Sequence, residues 1–422
     1  MPFRFVHTAD IHLDSPLRSL SLRNSDLAGL VGDATRQALI AIVDLCLDEQ
    51  VDALIIAGDL YDGDQTSMKT ARFLATQLGR LHEAGIAVYK IRGNHDALSR
   101  ITQELVLPPT VKVFGGRPEA MVQRWGGLDI AIHGLSFAKP QAPETLLPKY
   151  KLPEPGAVNI GIMHTSLGGA PGHDQYAPTN VADLLAAGFD YWALGHIHKR
   201  AAHDDKRPVI MPGMPQGRDI NEAGEKTVTL VTVHDDRSIL VEERLTSIAQ
   251  FERVAVDLSG IADWREAMDA IEGQLATARA TTRSPHLVAR LSLTGRTPLA
   301  WQLRRDRDLV LTEAEQRAEG IGATWIEKLE ISAQAPSEQG NGSAADPVLE
   351  LGALMLADIG ANSAARLEVR QLVEDLRNDL PAEIRGFAGK DEAELEAFVE
   401  RLLSEGSQDI VARLRHDGAG NH

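Results

Sequence analysis

The chain contains a single cysteine, Cys46, in 422 residues. One thiol excludes a disulfide framework and any zinc site built on cysteine. Its setting in the apolar-periodic stretch "ALIAIVDLCLDEQ" instead predicts a small buried hydrophobe on a helix. Also missing is any apolar run near the ~18 residues of a membrane span, and the opening "MPFRFVHTADIH" lacks the apolar core of a secretory signal. A cytoplasmic protein with no membrane partner is the expectation. Basic charge is scarce as well: 43 Lys and Arg stand against 60 Asp and Glu, a net charge of −17. A chain this acidic does not grip nucleic acid through bulk electrostatics. Chemistry on a phosphodiester would need bound cations, a local basic patch or a partner to offset the field.

What is present is ordinary for a globular chain, with 43% hydrophobic and 24% charged residues and length enough for two or three cores. The first hundred residues alternate between strand and helix signals. "FRFVHTADIH" reads as strand then loop, "ATRQALIAIVDLCLDEQ" as helix and "DALIIAGD" as a buried strand. "TSMKTARFLATQLGRLHEAG" is a helix ending at glycine, and "IAVYKIRGNHD" is again a strand. This plan predicts parallel strands joined by crossovers, the α/β class. From about 108 to 245 the pattern is strand-rich and predicts a second sheet packed on the first. The expected domains are 1–245, then an α/β module over 246–335. A Ser/Gly/Asn/Pro linker over 336–347 leads to a helical tail over 348–422. Such a tail reads first as a small helical core and second as an interaction element.

Five polar clusters fall at predicted strand ends, where open α/β sheets carry their sites. They are "ADIH" with Asp10 and His12, "AGD" with Asp59, "GNHD" with Asn94, His95 and Asp96, "MHTS" with His164, and "GHIH" with His196 and His198. Any one alone reads as a turn, a cap or a polar strand end. Five in series, offering carboxylate, imidazole and amide but no thiolate, point to Mn²⁺, Fe²⁺ or Zn²⁺. The number of ligands suits two cations about 3.5–4 Å apart, which need a bridging carboxylate. Asp59, central and preceded by a glycine, is the expected bridge. A histidine left over from ligation serves as the acid or charge stabiliser; His95 is that candidate, with Asp96 expected to orient it.

The ordered set D-x-H, G-D, G-N-H-D, H and G-H-x-H resembles the calcineurin-like metallophosphoesterases. "HTADIHLDSPL", "GDLYDGD", "GLSF", "HTSLGG", "GHDQYAP" and "PGMPQGRDINEAGEK" are similar to their DNA-repair exonuclease branch, the SbcD/YhaO-like group, and most to its YhaO type. The motifs span residues 5 to about 226. The resemblance implies a four-layer αββα sandwich (an α+β variant of the class), with the 246–335 module as a small capping domain and the helical tail binding a partner. It implies two divalent cations, Mn²⁺ foremost. One is assigned to Asp10, His12, Asp59 and His198, the other to Asp59, Asn94, His164 and His196, with His95 catalytic. The implied activity is hydrolysis of phosphodiesters at DNA ends, beside an SbcC-like coiled-coil ABC-type ATPase, in a homodimer. In the better-known break-repair nucleases of that branch a histidine follows the bridging Asp by three residues; here the position is Asp62. Other functions compatible with the same residues are a phosphodiesterase or phosphatase acting on small nucleotides and a weakly active regulatory subunit of such an ATPase.

Asp62, Arg218 in "PQGRD" and His173 in the glycine-rich "GGAPGHDQY" are candidates to meet substrate, with a loop salt bridge the plain alternative for Arg218. His7 and His133 lie within strand patterns and read as structural residues; His82, near a helix end, reads as a surface residue. "LRRDRD" over 303–308 mixes signs and reads as a solvated helix face.

Overall fold

The computed structural model describes residues 2–15, 25–62, 67–97, 106–139, 142–168, 176–336, 354, 363–380, 382–389 and 391–419. The chain divides into two compact units. One comprises 1–252 with 282–287, the other 253–281 with 288–422.

The first unit opens with the alternation the sequence predicts: β1 (Phe3–Thr8), α1 (Ser25–Asp48), β2 (Ala53–Ala57), α2 (Met68–Glu83) and β3 (Ala87–Ile91). Here β1, β2 and β3 are parallel, and β4 (Val111–Val113) joins β3 in the same sense. The strand-rich stretch supplies β5 (Glu119–Trp125), β6 (Leu128–Gly134), β7 (Val158–His164), the short α3 (Val181–Ala186), β8 (Tyr191–Gly195), β9 (Ala201–His203) and β10 (Val209–Met211). A hairpin of β11 (Thr227–Val233) and β12 (Ile239–Leu245) returns to the first sheet, where β11 pairs antiparallel with β1. The orders are β12-β11-β1-β2-β3-β4 and β5-β6-β7-β8-β10-β9.

Side-chain alternation along the strands builds the layers. In β1, Phe3 and Phe5 face the second sheet, joining Ile55, Ile91, Ile132, Ile160, Ile162 and Tyr191 in one core. Val6, Leu54 and Ile56 point the other way, onto Leu39, Ile42, Val43 and Cys46 of α1 and Leu74 and Leu78 of α2. The outer face of the second sheet buries Met163, Trp192 and Leu194 with Leu184 of α3. Helices, sheet, sheet and helix make the expected four layers. Cys46 is fully buried, and burial pushes its thiol well above the usual range.

A three-stranded sheet, order β13-β14-β15, follows. Its strands are β13 (Ala249–Asp257), β14 (His286–Thr294) and β15 (Thr324–Ile331), interleaved with α4 (Trp264–Thr281), α5 (Ala300–Arg305) and α6 (Arg307–Ile321). The tail contains α7 (Ser363–Asp379) and α8 (Glu392–Ala419), joined through a 3-10 turn at Ala382–Ala388. Val373, Ala388, Leu395 and Val399 form a small core there. Residues 337–347 of the expected 336–347 linker and most of the first tail helix fall outside the described residues. Among the described residues, no helix is long and apolar enough to cross a membrane.

Candidate metal centre

Parallel strands deliver the chemistry to one edge, because β1, β2, β3, β7 and β8 all finish on the same side of their sheets. Asp10 and His12 follow β1, Asp59 follows β2, Asn94 and His95 follow β3, His164 ends β7, and His196 and His198 follow β8. Backbone bonds lock the first two loops together: the Asp10 N–H donates to the Gly58 carbonyl and the His12 N–H to the Asp59 carbonyl, both at 3.1 Å. Four of these residues hold positive φ despite carrying side chains: Asp10 at 53°, His12 at 45°, Asp59 at 50° and His196 at 105°. Each costs of order 1–3 kcal/mol, and such strain collects where the surrounding structure must aim a side chain. Small residues make the space. A Cβ at Gly93 would overlap the Asp59 carboxylate and the His164 ring, and one at Gly58 would overlap His164.

Besides a grouping of His12, Asp62 and His95, two donor sets built from the predicted ligands result. In the first, Asp10, His12 and His198 bring ligand atoms within 4.8 Å of one another. The His12 Nδ1–H donates to Asp62 Oδ1 at 2.7 Å and the His198 Nδ1–H to Glu222 Oε1 at 2.8 Å. A carboxylate only accepts here, so each ring carries a proton on Nδ1 and turns Nε2 inward. Those two Nε2 atoms face each other at 3.2 Å. In their neutral forms two imidazoles so placed would offer one cation a pair of nitrogen ligands.

In the second set, Asp59, His164 and His196 are buried within the same reach. The His164 Nδ1–H donates to the Ala57 carbonyl at 2.9 Å. Its Nε2 meets Asn94 Oδ1 at 3.0 Å and Asp59 Oδ2 at 3.2 Å, again acceptors converging on one point. Burial pulls the His164 pKa down, but the Asp59 and Asp10 carboxylates overcome it and raise it to about 9. This donor chemistry, all oxygen and imidazole nitrogen, fits divalent cations. The Asp59 carboxylate groups with the second set, while its backbone carbonyl ties it to His12 of the first.

His95 is the exposed member, with 46% of its side chain open to solvent amid buried neighbours. Its backbone N–H donates to Asp59 Oδ1 at 3.0 Å, and its Nδ1 lies 3.3 Å from Asp62 Oδ1. The orienting carboxylate is therefore Asp62 and not Asp96. Asp96 is fully buried below the loop, where it accepts from the Gly93 N–H at 2.6 Å and the Leu60 N–H at 3.4 Å. Lys90, also buried, lies 3.9 Å away, and burial outweighs it to raise Asp96 to about 6. Asp96 pins the loops that carry Asp59 and Asn94 to each other and cannot turn outward to His95.

The expected substrate contacts fare unevenly. Asp62, taken from sequence as facing substrate, is engaged with two histidines; burial would raise its pKa, but hydrogen bonds from His12 and His95 hold it far below the carboxylate range. Arg218 is committed to Glu222 through Nη2 at 2.7 Å, Nε at 3.2 Å and its backbone N–H at 2.8 Å, and reaches Ser15 Oγ at 3.3 Å. It makes the loop salt bridge. His173 lies outside the described residues. Glu222 was not singled out from sequence; the one available signal was an acid four residues after Arg218. The aromatic neighbours were also missed: the Phe137 ring centroid lies 5.7 Å from that of His164, and Tyr176 5.3 Å from that of His196. The structural histidines behave as read. His7 sits between Tyr191 Oη and the Leu194 carbonyl, His133 bonds Asn159, and His82 meets Thr110 at the surface.

Residues 3–200 match the Calcineurin-like phosphoesterase family, and 251–334 match the middle domain of metallophosphoesterase YhaO. The metallophosphoesterase YhaO of Bacillus subtilis (strain 168) is 34% identical over 333 residues, 77% of this chain and 81% of that protein. The chain belongs to the calcineurin-like metallophosphoesterases. This metallophosphoesterase is also similar to proteins called DNA double-strand break repair protein Mre11. The one from Methanopyrus kandleri is 25% identical over 61% of this chain and 57% of its own length. The one from Methanocaldococcus jannaschii is 30% identical over 46% and 51%. The match thus spans about half the length of those Mre11 proteins. Among solved structures, a dimetal phosphatase from Danio rerio shares 13% identity at a TM-score of 0.37, over 58% of this chain and 97% of that one. As a metallophosphoesterase the protein is a metal-dependent hydrolase of ester bonds. Bound divalent cations supply Lewis acidity and a water acidic enough to ionise near neutrality.

Proposed function

We propose that this metallophosphoesterase is a cytoplasmic Mn²⁺-dependent exonuclease that hydrolyses phosphodiester bonds at DNA ends. The observation that carries the reading is His95: a half-open imidazole beside the two donor sets, oriented by Asp62. That placement suits protonation of a leaving oxygen, a role worth about 10²–10⁴ in rate. The similarity to proteins named for double-strand break repair supports DNA as the substrate. The −17 charge is met by the cations in the cleft and by a partner that grips DNA, an SbcC-like coiled-coil ATPase. Exposed Leu372 and Leu376, four residues apart on α7, give the tail an apolar patch for such a partner, and the 246–335 module serves as a cap over duplex ends. Homodimerisation is part of the same proposal.

The test compares linear duplex DNA with bis-p-nitrophenyl phosphate, each with Mn²⁺. Degradation from ends that stops in His95→Ala supports the reading. Reporter hydrolysis with DNA left intact, even beside the ATPase, would sink it. A second reading, small nucleotides as substrate, draws on Asp62. An anion at that rim disfavours the flanking phosphates of a polymer. Turnover of cyclic nucleotides faster than DNA would favour it.

A further inference from the structure

His12 and His198 of one donor set and His164 of the other are held in different ways. In the Asp10 set both imidazoles donate Nδ1–H to carboxylates, His12 to Asp62 at 2.7 Å and His198 to Glu222 at 2.8 Å. In the Asp59 set, His164 donates instead to a neutral acceptor, the Ala57 carbonyl, at 2.9 Å. That set also includes Asn94, an uncharged amide, beside His164 Nε2. A carboxylate on Nδ1 makes the imidazole a stronger base at Nε2, fixes the ring plane and adds negative charge near the cation; a carbonyl does the first two more weakly and the third not at all. Arg218 shares Glu222, its Nη2 donating at 2.7 Å to the same Oε1 that holds His198, and Asp62 is shared with His95 at 3.3 Å without giving up His12.

We propose that Asp62 and Glu222 are positioning residues that make the Asp10–His12–His198 pocket the tighter of the two cation sites, so that it fills first. Neither residue needs to touch the cation or the substrate; each acts through the histidine it holds. One of the two carboxylates comes from position 62, where this chain has Asp in place of the histidine of the better-known break-repair nucleases. The proposal rests on the two-cation centre and not on the DNA reading. It can fail while the exonuclease assignment stands, and the reverse.

The experiment is calorimetric titration of the full-length, metal-stripped protein with Mn²⁺ alone. Wild type should bind in two steps at least about 10-fold apart in Kd. Glu222→Gln and Asp62→Asn keep the shape and remove the charge. Each should weaken the tight step about 10- to 100-fold while the weak step moves less than about 3-fold. General damage to the loops would weaken both steps and lower the melting temperature of the metal-free protein, so the split between steps separates positioning from structural support. A single step in wild type, or parallel loss of both steps in a variant whose metal-free melting temperature is unchanged, would overturn the proposal. If Asp62→Asn does not fold, Glu222→Gln alone decides.

Discussion

His12 Nε2 and His198 Nε2 stand 3.2 Å apart. Each ring is anchored by a carboxylate on its far side, Asp62 for one and Glu222 for the other. Two imidazole nitrogens held this close suit a cation that shares them.

Metal removal should therefore cost stability as well as activity. Stripping with a chelator should abolish ester hydrolysis, and restoring Mn²⁺ at about 100 times its Kd should stabilise the first unit by about 2.7 kcal/mol. Thermal melts at increasing Mn²⁺ would show this as a rise of several degrees. A melting temperature indifferent to Mn²⁺ would contradict it.

His95→Ala and Asp59→Asn should part company. The first removes an exposed ring outside the Asp10 and Asp59 sets, so hydrolysis of a diester reporter should fall about 10²–10⁴-fold with the metal content of those sets intact. The second takes charge from the carboxylate on which His164 and the His95 backbone converge, so both metal content and activity should drop. Elemental analysis beside the rate assay distinguishes the two outcomes.

Gly93→Ala tests how tightly the centre is built. Its Cβ would run into Asp59 and His164, and overpacking of this kind costs about 1–3 kcal/mol. The expected result is a lower melting point together with weakened metal binding. Gly85→Ala makes a useful contrast. Gly85 sits at positive φ, unlike Gly93, and its Cβ would meet no neighbour, so the change should cost stability and leave the metal alone.

His7 predicts a pH dependence away from the centre. Burial, with a smaller push from Arg200, lowers its pKa from 6.5 to about 3 against the opposing Leu194 hydrogen bond. The unfolded chain then binds one more proton between those values. Stability from this residue is complete above pH 6.5 and drains as pH falls toward 3, by about 1.4 kcal/mol per unit. Urea midpoints from pH 7 to 4 should fall less steeply in His7→Gln than in wild type. Equal slopes would show that His7 is not held neutral.

Much of this could be read from residue order. Alternating strand and helix periods in the first hundred residues dictate a parallel sheet, because crossover helices leave no other compact arrangement. The five polar clusters declare themselves as ligands by type and by their position at strand ends. Tertiary structure decided the partners. Asp96, next to His95 in sequence, is drawn under the loop by the Gly93 and Leu60 N–H groups, and Asp62 takes its place from 33 positions away. Arg218 turns to Glu222 before any phosphate can claim it. A side chain's chemical type is written in the sequence and limits what it can ligate. Which of several nearby carboxylates satisfies a given imidazole depends on how separate loops meet, and that is settled when the two sheets pack.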